Sequence, residues 1–306
     1  MGVTFLNESG PFYTPTGAYI PSTGEAFYVG TALPQGQVAE KIADRFYTTV
    51  NAALNACVSG RGDTVFVLPG YTESIAAADA WSNLGTKTDV TIVGLGRGTN
   101  RPAITWTVAA STMLMDSANF RIINMQLFLA GPHVAGTAVT VAAPITVSAV
   151  GCEISGCDIY WGFDADQIVT IGITTTAAAD NFHFNRNYCY AETAAVPTTT
   201  FLRLTGTDFF EMDGTQIIGP GSTVAIGPVQ QLTTAALKVK IHDSLIQNTL
   251  ASSTHCFTAI AGSTGMMALC HLGVLAAGNG ITTGSGIQVT GTWVAVAGAA
   301  GTLATG

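Results

Sequence analysis

Charged residues are scarce in this chain of 306 residues, of which only 10% are Asp, Glu, Lys or Arg. The 11 Lys and Arg residues are spread thinly against 19 Asp and Glu residues, and the formal net charge is -8. A nucleic-acid-binding surface needs clustered Lys and Arg side chains that neutralise phosphates. The composition therefore argues against that class of function, and we expect no nucleic-acid partner.

Long apolar runs are also missing, although 48% of the residues are hydrophobic. No uninterrupted apolar run approaches the roughly 18 residues that a membrane-spanning helix needs, so we expect no membrane partner. The first residues, MGVTFLNESGPFY, lack the basic region and apolar core of a secretory leader. We therefore expect the protein to be made in the cytoplasm.

Cysteine is not concentrated as it is in a small disulfide-rich scaffold. The six cysteines lie in strand-like patterns along the chain, at Cys57, Cys152, Cys157, Cys189, Cys256 and Cys270. Cysteine in such a setting behaves as a small core hydrophobe. We expect six reduced, buried thiols.

A repeated strand pattern is what the sequence does contain. Residues 62–74 (GDTVFVLPGYTES) and 89–96 (DVTIVGLG) each combine an Asp, a β-branched run and a Gly that favours a sharp turn. The pattern returns in weaker form at residues 119–127, 151–160, 181–190, 208–218, 238–247 and 266–275. The starts from Asn119 onward are 32, 30, 27, 30 and 28 residues apart. A near-constant period of this length indicates a solenoid.

A second, weaker series of strand-like segments lies between these repeats, at residues 111–115, 145–150, 168–174, 201–205, 224–227, 256–260 and 287–290. Each coil would then carry at least two short strands, as a parallel β-helix requires. Right-handed connections dominate between parallel strands. The sequence predicts an all-β fold, a right-handed parallel β-helix over residues 61–277.

Three flanking segments complete the predicted organisation. Residues 1–30, with prolines at 11, 15 and 21 among aromatic residues, predict an extended arm that lies on its own solenoid or on a partner. Apolar residues at spacings of three and four predict a helix over residues 37–57, in a segment (31–60) that caps the first coil. Residues 278–306 contain no charged side chain, and we expect another copy of the chain to cover them, or the last coil to close on its own strand.

Candidate catalytic carboxylates form three pairs: Glu153 with Asp158, Asp164 with Asp166, and Glu211 with Asp213. Asp164 and Asp166 would share one face of a strand, and Trp161 nearby could stack on a sugar. Glycoside hydrolysis needs two carboxyl groups roughly 5–9.5 Å apart. The simpler interpretation is that short Asp side chains sit at turns and strand ends, as at Asp63, Asp89 and Asp208.

Other motifs are weaker still. GRGD at residues 60–63 spells an adhesion tripeptide but is more economically a turn into the first repeat. GLGRG at 94–98 follows a strand without a following helix, which does not support a phosphate loop. The five histidines, at 133, 183, 242, 255 and 271, show no zinc spacing. His255-Cys256 and Cys270-His271 could approach each other across a coil, although stacked core positions explain them better.

Three stretches, taken together, resemble a group of tailed-bacteriophage proteins. They are residues 56–74 (ACVSGRGDTVFVLPGYTES), 89–106 (DVTIVGLGRGTNRPAITW) and 117–130 (SANFRIINMQLFLA), preceded by the predicted helix. Members of that group are virion components in which a short N-terminal segment and a helix precede a right-handed parallel β-helix. The resemblance covers about the first 130 residues by motif and the rest by period alone.

The resemblance implies a capsid decoration or cement protein on the virion surface, which is homotrimeric and has the major capsid protein as partner. On this hypothesis the chain is not an enzyme and has no catalytic residues, cofactor or metal. The alternative is a tailspike or fibre protein that cleaves host polysaccharide with carboxylates such as Asp164 and Asp166, or binds it as an adhesin. Small size, low charge and the lack of a clear trimerisation domain depart from the tailspike pattern.

Overall fold

Short parallel strands make up most of the computed structural model of the protein. It describes residues 12–13, 19–20, 24–33, 43–81, 85–134, 136, 138–163, 165–191, 200–221, 227–231, 234–276, 280–281, 286–296 and 302–303. Within these ranges there is one α-helix, Val50–Ala56, and short 3-10 turns lie at Ala43–Arg45 and Gly98–Asn100.

Three sheets run along the molecule from its N-terminal to its C-terminal end. In this spatial order, the first sheet contains Phe46–Tyr47, Ala26–Val29, Thr64–Val67, Thr91–Gly94, Arg121–Ile123, Glu153–Ser155, His183–Asn185, Glu211–Asp213, Val239–His242, Thr264–Ala268 and Gly286–Thr290. The second contains Thr72–Ile75, Ala103–Trp106, Gln126–Phe128, Asp158–Tyr160, Tyr188–Tyr190, Gln216–Gly219, Leu245–Asn248, His271–Val274, Trp293–Val296 and Thr302–Leu303. The third contains Met113–Met115, Ile145–Val147, Ile171–Thr175, Thr200–Leu204, Val229–Gln231, His255–Thr258 and Gly280–Ile281.

Two smaller pairings complete the β-structure of the described residues. Val139–Val141 pairs in parallel with Gln167–Val169, and Phe12–Tyr13 pairs antiparallel with Tyr19–Ile20. The terminal strand Thr302–Leu303 is also antiparallel to its neighbour.

The chain visits the first, second and third sheets in turn and then repeats the circuit, which gives a parallel β-solenoid of about seven coils. Each strand pairs with the equivalent strand of the next coil: Arg121 lies opposite Glu153, Glu153 opposite His183, and His183 opposite Glu211. These pairings are 32, 30 and 28 positions apart, close to the predicted period. The predicted parallel β-helix is confirmed, and its handedness stays a prediction.

Left-handed backbone conformations recur at two corners of the coils. One ladder precedes the first sheet, with φ between 57° and 79° at Gly62, Asp89, Asn119, Gly151, Asn181, Phe209 and Lys238. The other separates the first sheet from the second, with φ between 50° and 62° at Asn124, Gly156, Arg186, Gly214, Asp243, Leu269 and Gly291. Gly, Asn and Asp tolerate this conformation best. Each predicted repeat is therefore two strands joined at a corner, as with Arg121–Ile123 and Gln126–Phe128 around Asn124.

Polar side chains stack inside the second corner and bond the backbone of the preceding coil. Asn187 Oδ1 accepts a hydrogen bond from the Cys157 N–H at 2.9 Å, and its Nδ2 donates to the Ile154 carbonyl at 2.9 Å. Thr215 Oγ1 accepts from the Asn187 N–H at 3.3 Å, and Ser244 Oγ accepts from the Thr215 N–H at 3.2 Å. Because buried N–H groups need partners, this ladder ties successive coils together where the chain turns.

The core is one continuous column of apolar side chains that extends from Phe27 to Val294. Large aromatic rings fill its centre, and the Trp161 and Phe201 rings stack with centroids 4.2 Å apart. All six cysteines are free and buried, as predicted. Burial raises the pKa of the Cys157 thiol to about 12, so this thiol stays protonated.

The predicted helix over residues 37–57 is wrong for residues 43–49, and residues 37–42 lie outside the described ranges. Phe46–Tyr47 is a strand that pairs with Tyr28 and Val29 at the edge of the first sheet, so strand pairing overrides the helical period there. The α-helix begins at Val50, and the N-cap Thr49 side chain accepts a hydrogen bond from the Ala52 N–H. Val50, Ala53 and Leu54 are buried in the core. A capping role for this helix stays a prediction.

Three other sequence predictions differ from the structure. Ala26–Val29, in the predicted arm, is a strand that pairs with Thr64–Val67, and most of residues 1–23 lie outside the described ranges. Residues 287–290, predicted to belong to the weaker series between the repeats, lie in the first sheet, and Gly280–Ile281 takes the corresponding place in the third sheet. The strand-like segment predicted at 224–227 is replaced by the strand Val229–Gln231, and residues 224–226 lie outside the described ranges. Within 278–306, Gly286–Thr290 and Trp293–Val296 continue the coils.

Candidate functional site

The outer face of the first sheet carries the densest group of titratable side chains on the described surface. Successive residues of a strand point to opposite faces, and Ile154, Phe184 and Met212 face the core. The residues beside them face outward. In-register pairing therefore aligns one outer row of Arg121, Glu153, His183, Glu211 and Lys240, and a second outer row of Ser155, Asn185, Asp213 and His242.

Acidic and basic neighbours in the first row pair between coils. Arg121 Nε lies 3.7 Å from Glu153 Oε2, His183 Nδ1 lies 3.5 Å from Glu211 Oε2, and Lys240 Nζ donates to Glu211 Oε1 at 3.0 Å. Partial burial alone would raise the pKa of Glu211. Hydrogen bonds from Lys240 and His242, with the charges of Lys240 and His183, instead hold this pKa below its ordinary value.

His242 lies at the centre of a compact group that we call the His242 cluster: Glu211, Asp213, Lys240, His242 and Asp243. The imidazole Nε2 lies 3.3 Å from Glu211 Oε1. Its Nδ1 lies 2.9 Å from Asp213 Oδ1 and 3.2 Å from Asp243 Oδ2. Asp243 occupies the left-handed corner that ends the strand, with φ of 50°, which turns its carboxylate back toward the imidazole. One histidine ring thus contacts three carboxylates.

The three predicted carboxylate pairs have different outcomes. Glu211 and Asp213 do share one face, and both contact His242. Glu153 lies on the first sheet and Asp158 on the second, where Arg101 Nη1 contacts Asp158 Oδ1 at 2.9 Å. Glu153 pairs with Arg121 and Asp158 with Arg101, so these two carboxylates do not form a pair.

The third pair gains no support as a sugar-cleaving site. Asp164 lies outside the described residues, and Asp166 is exposed in the turn before Gln167–Val169. Trp161, expected to stack on a sugar, is fully buried against Phe201. Its indole packs inside the solenoid and is not available to a ligand at the surface.

The Gly60–Asp63 stretch folds into a turn whose charged groups bond each other. The Arg61 guanidinium donates to both Asp63 oxygens, at 2.6 and 2.8 Å, and the Glu25 and Val58 N–H groups also donate to this carboxylate. Asp63 is fully buried. Burial alone would raise its pKa, but these hydrogen bonds hold the pKa below the ordinary value. The turn interpretation of GRGD therefore fits the structure.

The other motifs also have structural explanations. Thr91–Gly94 is followed by a 3-10 turn at Gly98–Asn100 and by no α-helix, as the sequence indicated for GLGRG. Cys256 and Cys270 are buried in the core, whereas His271 is exposed on the outer face of the second sheet. These residues occupy stacked core and surface positions, in line with the simpler interpretation.

A depression of about 380 Å³ lies on the outer face of the second sheet near its C-terminal end. Its lining includes Gln247, His271, Leu275 and Trp293, and the Trp293 residue is 49% exposed. Gly273 sits between Gln247 and Ala295 in the sheet and contributes no side chain, which leaves the depression open.

Sequence reasoning did not find the His242 cluster. The predicted repeat starts at 208 and 238 align residue 211 with 241, whereas the structure aligns Glu211 with Lys240. A slip of one residue moves a side chain to the opposite face of a sheet. The alternation of charge at 211, 213, 240 and 242 was the signal that could have revealed the cluster.

Comparisons of the chain with protein-family models, with curated proteins and with solved structures find no significant match. Among the described residues, the structure has no helix with the length and apolar character needed to cross a membrane. The fold assignment therefore rests on the strand pairing itself, and the resemblance to phage virion proteins stays a prediction.

Proposed function

We propose that this chain is a structural protein of a tailed-bacteriophage virion, which decorates or cements the exterior of the capsid and catalyses no reaction. The observation that supports a structural role best is the pairing of charges between successive coils. Glu153 contacts Arg121 and Glu211 contacts Lys240 between adjacent coils, and Asp158 contacts Arg101 across one intervening coil. These contacts hold the coils together along a continuous core. A rigid structure that projects from a capsid requires such contacts between its coils.

The phage assignment rests on the sequence resemblance, and the proposed partners are the major capsid protein and further copies of this chain in a homotrimer. Gly286–Thr290 is the last strand of the first sheet in the described part of the chain, and an edge strand is a template for pairing with another chain. The neighbouring Trp293 is half exposed. Burial of an uncharged edge and an exposed indole would favour association, and weak contacts repeated over a capsid lattice reinforce one another.

The test is binding of the purified protein to decoration-free phage heads, imaged by negative-stain microscopy, with host polysaccharide incubated alongside. We expect saturable binding at lattice positions without sugar release. Trp293→Ser should weaken binding, whereas Tyr188→Ser, which changes another exposed aromatic residue of the second sheet, should not. Failure to bind heads, or release of sugar, would overturn the proposal.

The depression around Trp293 favours a second candidate function, the binding of a host surface glycan by a tailspike or fibre protein. An exposed indole face can stack on a sugar ring while Gln247 and His271 offer hydrogen-bonding groups. Glycan-array binding that Trp293→Ser abolishes, in a protein that does not bind heads, would select this function over the first.

A further inference from the structure

The two nitrogen atoms of His242 both face carboxylate oxygens. Nε2 faces Glu211, and Nδ1 faces Asp213 and Asp243. A neutral imidazole carries one proton, so it can donate at only one of these positions. The other nitrogen then presents a lone pair to an anion, and either a second ring proton or a cation between the two atoms would relieve this contact.

We propose that His242, Asp213 and Asp243 bind one divalent transition-metal ion, with Zn²⁺ as the representative. The ion would bond to Nδ1 of the imidazole and to one oxygen of each aspartate, and the Nε2 proton would be donated to Glu211. A carboxylate that accepts the second ring proton is the usual partner of a metal-bound histidine, because it fixes the orientation of the ring. Glu211 already occupies that position.

The spacing of the donor atoms suits such an ion. Ligand atoms bound at about 2.1 Å lie about 3.0–3.4 Å apart in octahedral and tetrahedral sites. Nδ1 is 2.9 Å from Asp213 Oδ1 and 3.2 Å from Asp243 Oδ2, and all three donor atoms lie within 4.8 Å of one another. A small movement of the exposed Asp243 would admit the ion, and water would complete its coordination.

The charge of the cluster also favours a divalent cation. Glu211, Asp213 and Asp243 supply three negative charges, and Lys240 compensates one of them through Glu211. A divalent ion would neutralise the rest. The imidazole ligand favours Zn²⁺ and its neighbours over Ca²⁺, which prefers oxygen ligands. Because Asp213 and His242 belong to successive coils, the ion would join the two coils on their outer face.

Isothermal titration of ZnCl₂ into EDTA-treated, dialysed protein tests the site. We expect one ion per chain for the wild type and loss of that binding in His242→Gln and Asp243→Asn. Asparagine suits the second change because it tolerates the left-handed backbone of residue 243. Glu211→Gln should weaken affinity by about 10- to 100-fold, as loss of an orienting carboxylate does. Zn²⁺ should also raise the thermal midpoint of the wild type.

His271→Gln is the matched control, because it removes an exposed imidazole from the second sheet and leaves the His242 cluster intact. It should bind Zn²⁺ as the wild type does. Far-UV circular dichroism checks that every variant is folded. If His242→Gln does not fold, Asp243→Asn, at the exposed corner, still tests the site. Wild-type protein that binds no Zn²⁺, binding unchanged in folded Asp243→Asn, or a preference for Ca²⁺ would each overturn the proposal.

Discussion

At the scale of single residues, the corner ladder shows how one side chain can hold two coils together. Asn187 is 2% exposed and makes two side-chain hydrogen bonds to the backbone of the preceding coil. Both hydrogen bonds, from the Cys157 N–H and to the Ile154 carbonyl, are buried. Buried polar groups that lose their partner cost more than the bond itself contributes.

Asn187→Ala should therefore lower the free energy of unfolding by about 2–4 kcal/mol, because it removes the side-chain acceptor of the buried Cys157 N–H and a donor to the Ile154 carbonyl. Asn187→Thr should cost less, since Thr215 fills the equivalent position one coil later and accepts a backbone hydrogen bond there. Chemical denaturation of both variants measures the difference. Equal losses for Ala and Thr would show that packing volume, and not hydrogen bonding, determines the cost.

The buried Asp63 carboxylate predicts how stability depends on pH. Its pKa is lowered in the folded protein because hydrogen bonds from Arg61, Val58 and Glu25 outweigh the effect of burial. The unfolded chain, where the aspartate pKa is about 3.9, therefore takes up a proton more readily than the folded one. The stability that Asp63 provides is present above that pH and is lost as the pH falls through the folded pKa.

We expect the thermal midpoint of the wild type to fall below about pH 4. Asp63→Asn should be less stable at pH 7, and its deficit relative to the wild type should shrink as the pH falls toward 2. Asp44→Asn, at an exposed position, serves as the control and should follow the wild type throughout. A deficit for Asp63→Asn that is constant with pH would contradict the linkage.

At the scale of elements, Glu73 fixes the start of the helix. Its Oε2 accepts hydrogen bonds from the Val50 N–H at 2.9 Å and from the Tyr71 hydroxyl at 2.6 Å, and Oε1 accepts from Trp81 Nε1 at 3.3 Å. The first N–H groups of a helix have no partner within the helix. The Glu73 carboxylate, from the second sheet, thus supplies a hydrogen-bond acceptor for the first N–H group of the short Val50–Ala56 helix.

Glu73→Ala should destabilise the protein by about 2–4 kcal/mol, because a partly buried carboxylate that accepts three hydrogen bonds is removed. Glu73→Gln keeps an acceptor of similar shape and should cost less. Denaturation followed by tryptophan fluorescence measures both changes. Thr49→Ala removes only the N-cap hydrogen bond and should lower the free energy of unfolding by about 1 kcal/mol, which provides the comparison. A loss in Glu73→Ala no larger than in Thr49→Ala would show that Glu73 does not anchor the helix.

The elements also show which parts of the structure the sequence can predict. Strand segments and their period were predictable, because inward apolar residues recur in every coil, as Ile122, Ile154 and Phe184 do. The strand Phe46–Tyr47 was not, since its apolar residues fit a helical period and only pairing with Tyr28 and Val29 decides its conformation. The His242 cluster depends on register between coils, which a period of variable length leaves uncertain by one residue.

At the scale of the whole molecule, each coil contacts mainly its two neighbours, so stability is a sum of coil and interface contributions. Coils in the middle have two such interfaces. The last coil, which contains the strand Gly286–Thr290, has one such interface within the described part of the chain. Local opening should therefore begin at this end and require progressively more free energy toward the centre.

A matched pair of substitutions tests this gradient. Ile159 is fully buried in a central coil, and Ile287 is 4% exposed in the last one. Ile159→Ala should lower the free energy of unfolding by about 2–5 kcal/mol, and hydrogen exchange should accelerate in the coils on both sides of it. Ile287→Ala removes the same atoms but should accelerate exchange only from about residue 264 onward, because fraying of the last coil leaves the central interfaces intact. If Ile287→Ala accelerated exchange equally in the strands Arg121–Ile123 and Glu153–Ser155, the solenoid would unfold as one cooperative unit and the nearest-neighbour account would be wrong.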